Sequence, residues 1–177
     1  CIRDSTYAYP PQFNSANLSI RSFVNRGPEK VIGSRDGLFY INEATGIVKS
    51  FVKPVLTSDL ILTICFYEGE YYIGTYGGGM MVLNPQTLSL KYFTQGDTEL
   101  FQKGHIFCVK PDNRGNLWIG TSQGLFCYNG QTKQIKNFTS TNSQLPEGNV
   151  YEVSFDSTGK GWIATETGMC IYDPASQ

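Results

Sequence analysis

A single histidine, His105, serves the whole chain. A histidine-dependent catalytic triad or a multi-histidine metal site therefore cannot be assembled from these residues alone. Charge is also sparse: 14 Lys and Arg against 15 Asp and Glu, with no run of either sign. Nucleic-acid binders need a basic patch. The one local cluster, Lys133 to Lys136, reads instead as a lysine-protected strand edge. No apolar run approaches the roughly 20 residues that span a bilayer. There is no signal peptide and no initiator methionine, which fits processing or a cut boundary and leaves an exported parent open. The five cysteines (Cys1, Cys65, Cys108, Cys127, Cys170) are odd in number and contain no CxxC. Four of them fall within strand-like runs, as small hydrophobes, so a disulfide framework is not expected. Cys1 reads as a cut boundary, with a lipidated N-terminal cysteine as the alternative. No segment of useful length carries a helical period.

What the chain has is a four-fold repeat. Its clearest copy is Asp112-Asn113-Arg114-Gly115-Asn116-Leu117-Trp118-Ile119-Gly120-Thr121, followed by Gly124-Leu125-Phe126. It returns as Trp162-Ile163-Ala164-Thr165 with Gly168-Met169, as Tyr72-Ile73-Gly74-Thr75 with Gly79-Met80, and as Val31-Ile32-Gly33-Ser34 with Gly37-Leu38. The four isoleucines lie 41, 46 and 44 residues apart. A period of that size indicates a propeller or a solenoid. Each unit holds four short runs rich in aromatic and β-branched residues, separated by turn residues; in the third unit they are 105–110, 116–121, 124–129 and 134–139. Four antiparallel strands joined by hairpins make one propeller blade. Near-continuous apolar runs such as 79–83 and 124–128 fit sheets buried on both faces.

The expected fold is therefore all-β, with about four β-propeller blades of four-stranded antiparallel sheet, over 19–52, 60–94, 105–139 and 149–173. An orphan outer strand is expected at 6–9. The last blade ends after three strands. A segment of a larger propeller is the preferred reading, and closure of a four-bladed ring by the orphan strand is the alternative.

The repeat reassigns several tempting motifs. Gly120-Thr121-Ser122-Gln123-Gly124 matches G-x-S-x-G, but a nucleophile elbow needs a strand-to-helix turn, and the repeat makes this pentapeptide a hairpin. The run Gly77-Gly78-Gly79 lacks the lysine and helix of a phosphate loop. Asp112 and Asp156 offer too few oxygens for calcium and suit turns. Trp118, Trp162 and Tyr72 share one position and are expected in the core between blades. His105 reads as a strand-end polar residue. Asn17 and Asn137 open glycosylation-type patterns, which arise often by chance. No catalytic residue, metal or cofactor is expected.

The units at 115–129 (G-N-L-W-I-G-T-x-x-G-L-F-x-Y-N) and 159–173 (G-K-G-W-I-A-T-x-x-G-M-x-x-Y-D) resemble the two-component regulator propeller repeat, with weaker copies at 30–42 and 70–84. Ala164 in place of glycine is a mild departure. The resemblance implies an extracytoplasmic sensor region of a hybrid two-component system, notably of gut Bacteroidetes. In that family two seven-bladed propellers precede a β-sandwich, a membrane helix, a histidine kinase and a response regulator. It further implies an oligosaccharide ligand, control of glycan-utilisation genes, a periplasmic location, a homodimeric parent anchored in the inner membrane, and contact with the rest of the ectodomain.

Variable loops on a rigid scaffold are where binding usually resides. The loops between second and third strands supply Arg35, Asp36, Tyr76, Gln123 and Glu166 as candidate ligand-binding residues. Tyr76 suits stacking on a sugar ring, and the others suit hydroxyls or a uronate. Loops between blades, at 54–59, 95–104 and 140–148, share that rim. A protein-interaction propeller is the alternative reading, and a glycan-active enzyme, lacking a paired acid and base, a weaker third.

Overall fold

The computed structural model describes residues 19–96 and 98–176. The expected strand at 6–9, Cys1 and Asn17 lie outside the described residues. Among the described residues fifteen strands form four sheets, each a simple antiparallel meander in chain order. The first contains β1 (Ile20–Arg26), β2 (Glu29–Ser34), β3 (Leu38–Asn42) and β4 (Ile47–Phe51). The second contains β5 (Ile61–Tyr67), β6 (Glu70–Thr75), β7 (Met80–Leu83) and β8 (Leu90–Tyr92). The third contains β9 (Ile106–Pro111), β10 (Asn116–Thr121), β11 (Gly124–Asn129) and β12 (Ile135–Phe138). The fourth has three strands, β13 (Val150–Phe155), β14 (Gly161–Thr165) and β15 (Met169–Tyr172). The first strands pack side by side in the order β1, β5, β9, β13. They form the inner layer, and the four sheets are successive propeller blades.

The repeat residues specify this stacking. Core clusters fill the three spaces between blades: Val31, Tyr40 and Phe51 meet Ile61, Tyr71 and Ile73 in the first. Tyr72 and Phe93 meet Ile106, Phe126 and Tyr128 in the second, and Trp118 and Leu125 meet Val150 and Ile163 in the third. Burial on both faces explains the unbroken apolar runs of β7 and β10. The repeat glycine sits where two blades approach. A Cβ on Gly74 would lie 2.7 Å from Ile106 Cγ2, and one on Gly120 would lie 2.7 Å from the Val150 carbonyl oxygen. Ala164 occupies the equivalent place in the fourth blade and is exposed, so its methyl group meets no such wall. The repeat Thr or Ser closes the following hairpin. Thr75, Thr121, Thr165 and Ser34 each donate a side-chain hydroxyl to the carbonyl of the repeat glycine. Each also accepts a backbone N–H from inside the turn.

Two expectations are corrected. Trp118 and Tyr72 are buried between blades, but Trp162 is 43% exposed. It lies with Ala164, Met169 and Ile171 on the face of the fourth blade turned away from the third, which no other sheet of the described residues covers. The loop at 95–104, read from the sequence as irregular, contains a short helix α1 (Thr98–Lys103). Its Leu100 and Phe101 are wedged into the core between the second and third blades. Six residues are too few to show a helical period.

Candidate functional site

Each inner strand carries the same irregularity near its start. Ile61 pairs with Thr75 and Thr63 with Gly74, leaving Leu62 unpaired between them. Arg21, Phe107 and Tyr151 are the equivalent extra residues in β1, β9 and β13. A β-bulge of this kind re-aims one side chain out of the sheet's alternation. Here it turns Arg21, Leu62, Phe107 and Tyr151 toward a shared opening, and with Ser19 and Ile20 they line one cavity of about 520 Å³. We call this the axial funnel.

Two further tiers rise above it. The residue leading into each inner strand offers its carbonyl to the hairpin between second and third strands. Arg35 N donates to Ser19 O, Tyr76 N to Leu60 O, Ser122 N to His105 O and Glu166 N to Asn149 O. This pairing fixes the hairpins beside the funnel, and loops between blades lock them further. Ser58 Oγ donates to Tyr76 O, Gly79 N donates to Gly104 O, and Thr167 Oγ1 donates to Glu147 O. Gly79 has φ of +72°, and a Cβ there would run into the Phe101 carbonyl, so glycine is required.

Aromatic side chains connect the tiers. The Tyr76 and His105 rings lie 4.1 Å apart, tilted by 30°. His105 is followed by Phe107 at 6.1 Å, and Phe107 meets Tyr151 edge-on at 5.1 Å. Tyr76 and Tyr151 keep 51% and 44% exposure. The Nδ1 atom of His105 is buried without a hydrogen-bond partner. At the fourth blade, Asn149 donates its backbone N–H and its side-chain amide to Glu166, and the same amide reaches Tyr151 Oη at 3.2 Å.

The five residues singled out in the sequence are placed as follows. Tyr76 joins His105, and Glu166 is held by Asn149. Arg35 is exposed in its hairpin and forms no ion pair with a described residue. Asp36 and Gln123 are exposed, with their backbone N–H groups bonded to Ser34 Oγ and Thr121 Oγ1. They sit on four separate blades, so these residues alone do not form one compact cluster. Sequence reasoning missed Phe107 and Tyr151. Their signal was two adjacent large residues at the start of inner strands (Ile61-Leu62, Ile106-Phe107, Val150-Tyr151), which breaks two-residue alternation.

Other reactive groups serve the scaffold. Ser122 lies in a hairpin joining β10 to β11, not at a strand-to-helix turn. Burial pushes the Cys65 thiol up to about 11 and that of Cys108 up to about 12, so both are protonated at neutral pH. Cys65, Cys108, Cys127 and Cys170 are all free. Asp112 accepts from Arg114 N, Asn116 N, Asn116 Nδ2 and Trp118 Nε1. Partial burial alone would raise its pKa. The hydrogen bonds from Asn116, Trp118 and Arg114 outweigh that and hold the carboxyl below its ordinary 3.8. Among the described residues no group of three or more His, Cys, Asp or Glu is placed to hold a metal ion. No helix among them is long and apolar enough to cross a membrane.

Comparison with known proteins agrees with this architecture. Residues 101–123 match the family model described as two component regulator propeller. The extracellular domain of a putative hybrid two component system of B. thetaiotaomicron superimposes with a TM-score of 0.70 at 28% identity, over 97% of this chain and 23% of that one. A second such domain from B. thetaiotaomicron gives 0.73 at 21% identity, over 90% of this chain and 21% of that one. The WD40 propeller domain of Doa1 shares the fold, with a TM-score of 0.65 at 14% identity, over 89% of this chain and 52% of that one. The chain thus spans less than a quarter of the hybrid-system domains it matches. No curated protein matches it. Residues 101–123 therefore resemble a two component regulator propeller repeat, and the chain as a whole is similar in fold to the extracellular domains of hybrid two-component systems.

Proposed function

We propose that this chain is a ligand-sensing propeller segment in the extracytoplasmic region of a hybrid two-component sensor. The observation that carries the reading is the similarity, along 97% of the chain, to the extracellular domain of such a system. The site geometry supports it. A rigid stack of blades presents exposed aromatic rings and polar groups around one opening, the arrangement a small ligand needs. In this reading the ligand is an oligosaccharide in the periplasm. The parent is a membrane-anchored homodimer with a histidine kinase beyond the membrane, and its output is transcription of glycan-utilisation genes. Ligand acts by binding one arrangement of the ectodomain more tightly than another, because equal affinity for both would shift nothing.

Calorimetric screening of the full extracytoplasmic region against a broad oligosaccharide set tests this. Saturable binding of one glycan class at one site per chain is the expected result. Absence of binding across the set would sink the carbohydrate-sensor reading.

A further inference from the structure

The bulges of the four inner strands project Arg21, Leu62, Phe107 and Tyr151, one residue from each blade, while the strands around them keep the repeat. The scaffold is thus repeated and the funnel lining is not. The cavity of about 520 Å³ falls within the roughly 300–1,000 Å³ of small-molecule sites.

Two features of the lining are unsatisfied among the described residues. Arg21 is its one charged residue; it is exposed and forms no ion pair or hydrogen bond with any described residue. By contrast, Arg26 on the same strand is paired with Glu29 and lies over the Phe66 ring. The second feature is apolar: Phe107 and Tyr151 present rings to the cavity, with Leu62 beside them. Hydroxyl-seeking groups stand close by: Ser19 in the lining, and the side-chain oxygen of Asn149, whose amide N–H groups are held by Glu166 and Tyr151.

We propose that the axial funnel binds a uronate, a sugar ring bearing a carboxylate. This rests on the sensor reading above and narrows it to a ligand class and a location. A pyranose ring has an apolar C–H face, which suits the Phe107 and Tyr151 rings. Its carboxylate offers two coplanar oxygens, which match the guanidinium fork of Arg21. Its hydroxyls match Ser19 and Asn149. The location also differs from the outer hairpins: Arg35, Asp36 and Gln123 do not line the cavity, and recognition occurs at the starts of the inner strands.

The test compares wild type, Arg21→Gln and Arg21→Lys in the full extracytoplasmic region, titrated with uronate-containing, sulfated and neutral oligosaccharides of equal length. Arg21 is exposed at a bulge, so both variants are expected to fold, which circular dichroism verifies. Uronate binding should weaken at least ten-fold in Arg21→Gln and less in Arg21→Lys, and should fall as salt rises. Uronate affinity unchanged in Arg21→Gln overturns the proposal. So does a preference for neutral or sulfated oligosaccharides, although the sensor reading then survives. No binding of any oligosaccharide overturns both.

Discussion

Asp112 illustrates how a single side chain ties a turn to the core. Its carboxylate gathers three N–H groups of the Asp112–Asn116 turn and the indole N–H of Trp118, which is 2% exposed. The turn and the core between the third and fourth blades are thereby coupled. Asp156 repeats the turn chemistry, accepting from Thr158 N and Lys160 N. The residue it would need for the second role, Trp162, is exposed. Removing the Asp112 carboxylate leaves the Trp118 donor without its partner. Asp112→Ala should therefore cost about 1–3 kcal/mol at neutral pH, measured by urea unfolding. The folded pKa lies below the ordinary 3.8, so this stabilisation is present above 3.8 and is lost as pH falls through the folded value. The difference between wild type and variant should accordingly narrow below pH 3.8.

At the scale of the strand, the inter-blade glycine and the bulge carry most of the design. Gly74 allows β9 to approach β6, because a Cβ there would meet Thr63 Cγ2 at 2.6 Å and Ile106 Cγ2 at 2.7 Å. Overpacking of this kind costs about 1–3 kcal/mol. We expect Gly74→Ala to be destabilised by that amount in thermal or urea unfolding, and Ala164→Gly, on the exposed face, to change stability by less than about 1 kcal/mol. Equal effects at the two sites would refute the account of the repeat glycine. Tyr67 adds a second tie between the same blades, donating to Gly115 O at 2.6 Å and accepting from Gly130 N at 3.0 Å.

Strands were the legible part of this sequence because their signals are local and repeated four times. The runs 116–121 and 124–129 are the strands β10 and β11. What escaped the sequence depends on neighbours. Trp162 carries the same motif as Trp118, but burial is decided by whether another sheet lies against it. Leu100 and Phe101 belong to a helix too short for its period to register, and tertiary packing holds it in place. Phe107 and Tyr151 read as ordinary apolar strand residues, since a bulge is invisible until strand register is known. Of the candidate site, the hairpin positions Tyr76 and Glu166 were legible from repeat variability. The funnel itself arises where four residues more than forty positions apart converge.

The described residues form four successive blades whose inner strands pack side by side. Its three inter-blade cores hold the scaffold rigid, and no residue of the funnel lining belongs to them. Leu62, Phe107, Tyr151 and Arg21 are thus free to differ without unmaking the fold, which is what a sensor with a variable ligand requires. In the proposed sensor, signalling would depend on how ligand held in the funnel biases the ectodomain around it.

In the proposed site, ligand is recognised at the start of the inner strands. Amide hydrogen exchange of the full extracytoplasmic region, with and without a bound uronate oligosaccharide, tests it most directly. Ligand held in the funnel should add protection in 19–22, 60–63, 105–108 and 149–152, together with the hairpins at 35–36, 76–78, 122–123 and 166–167. Protection confined to the turns at the opposite ends of the strands, at 43–46, 84–89 and 130–133, would contradict it.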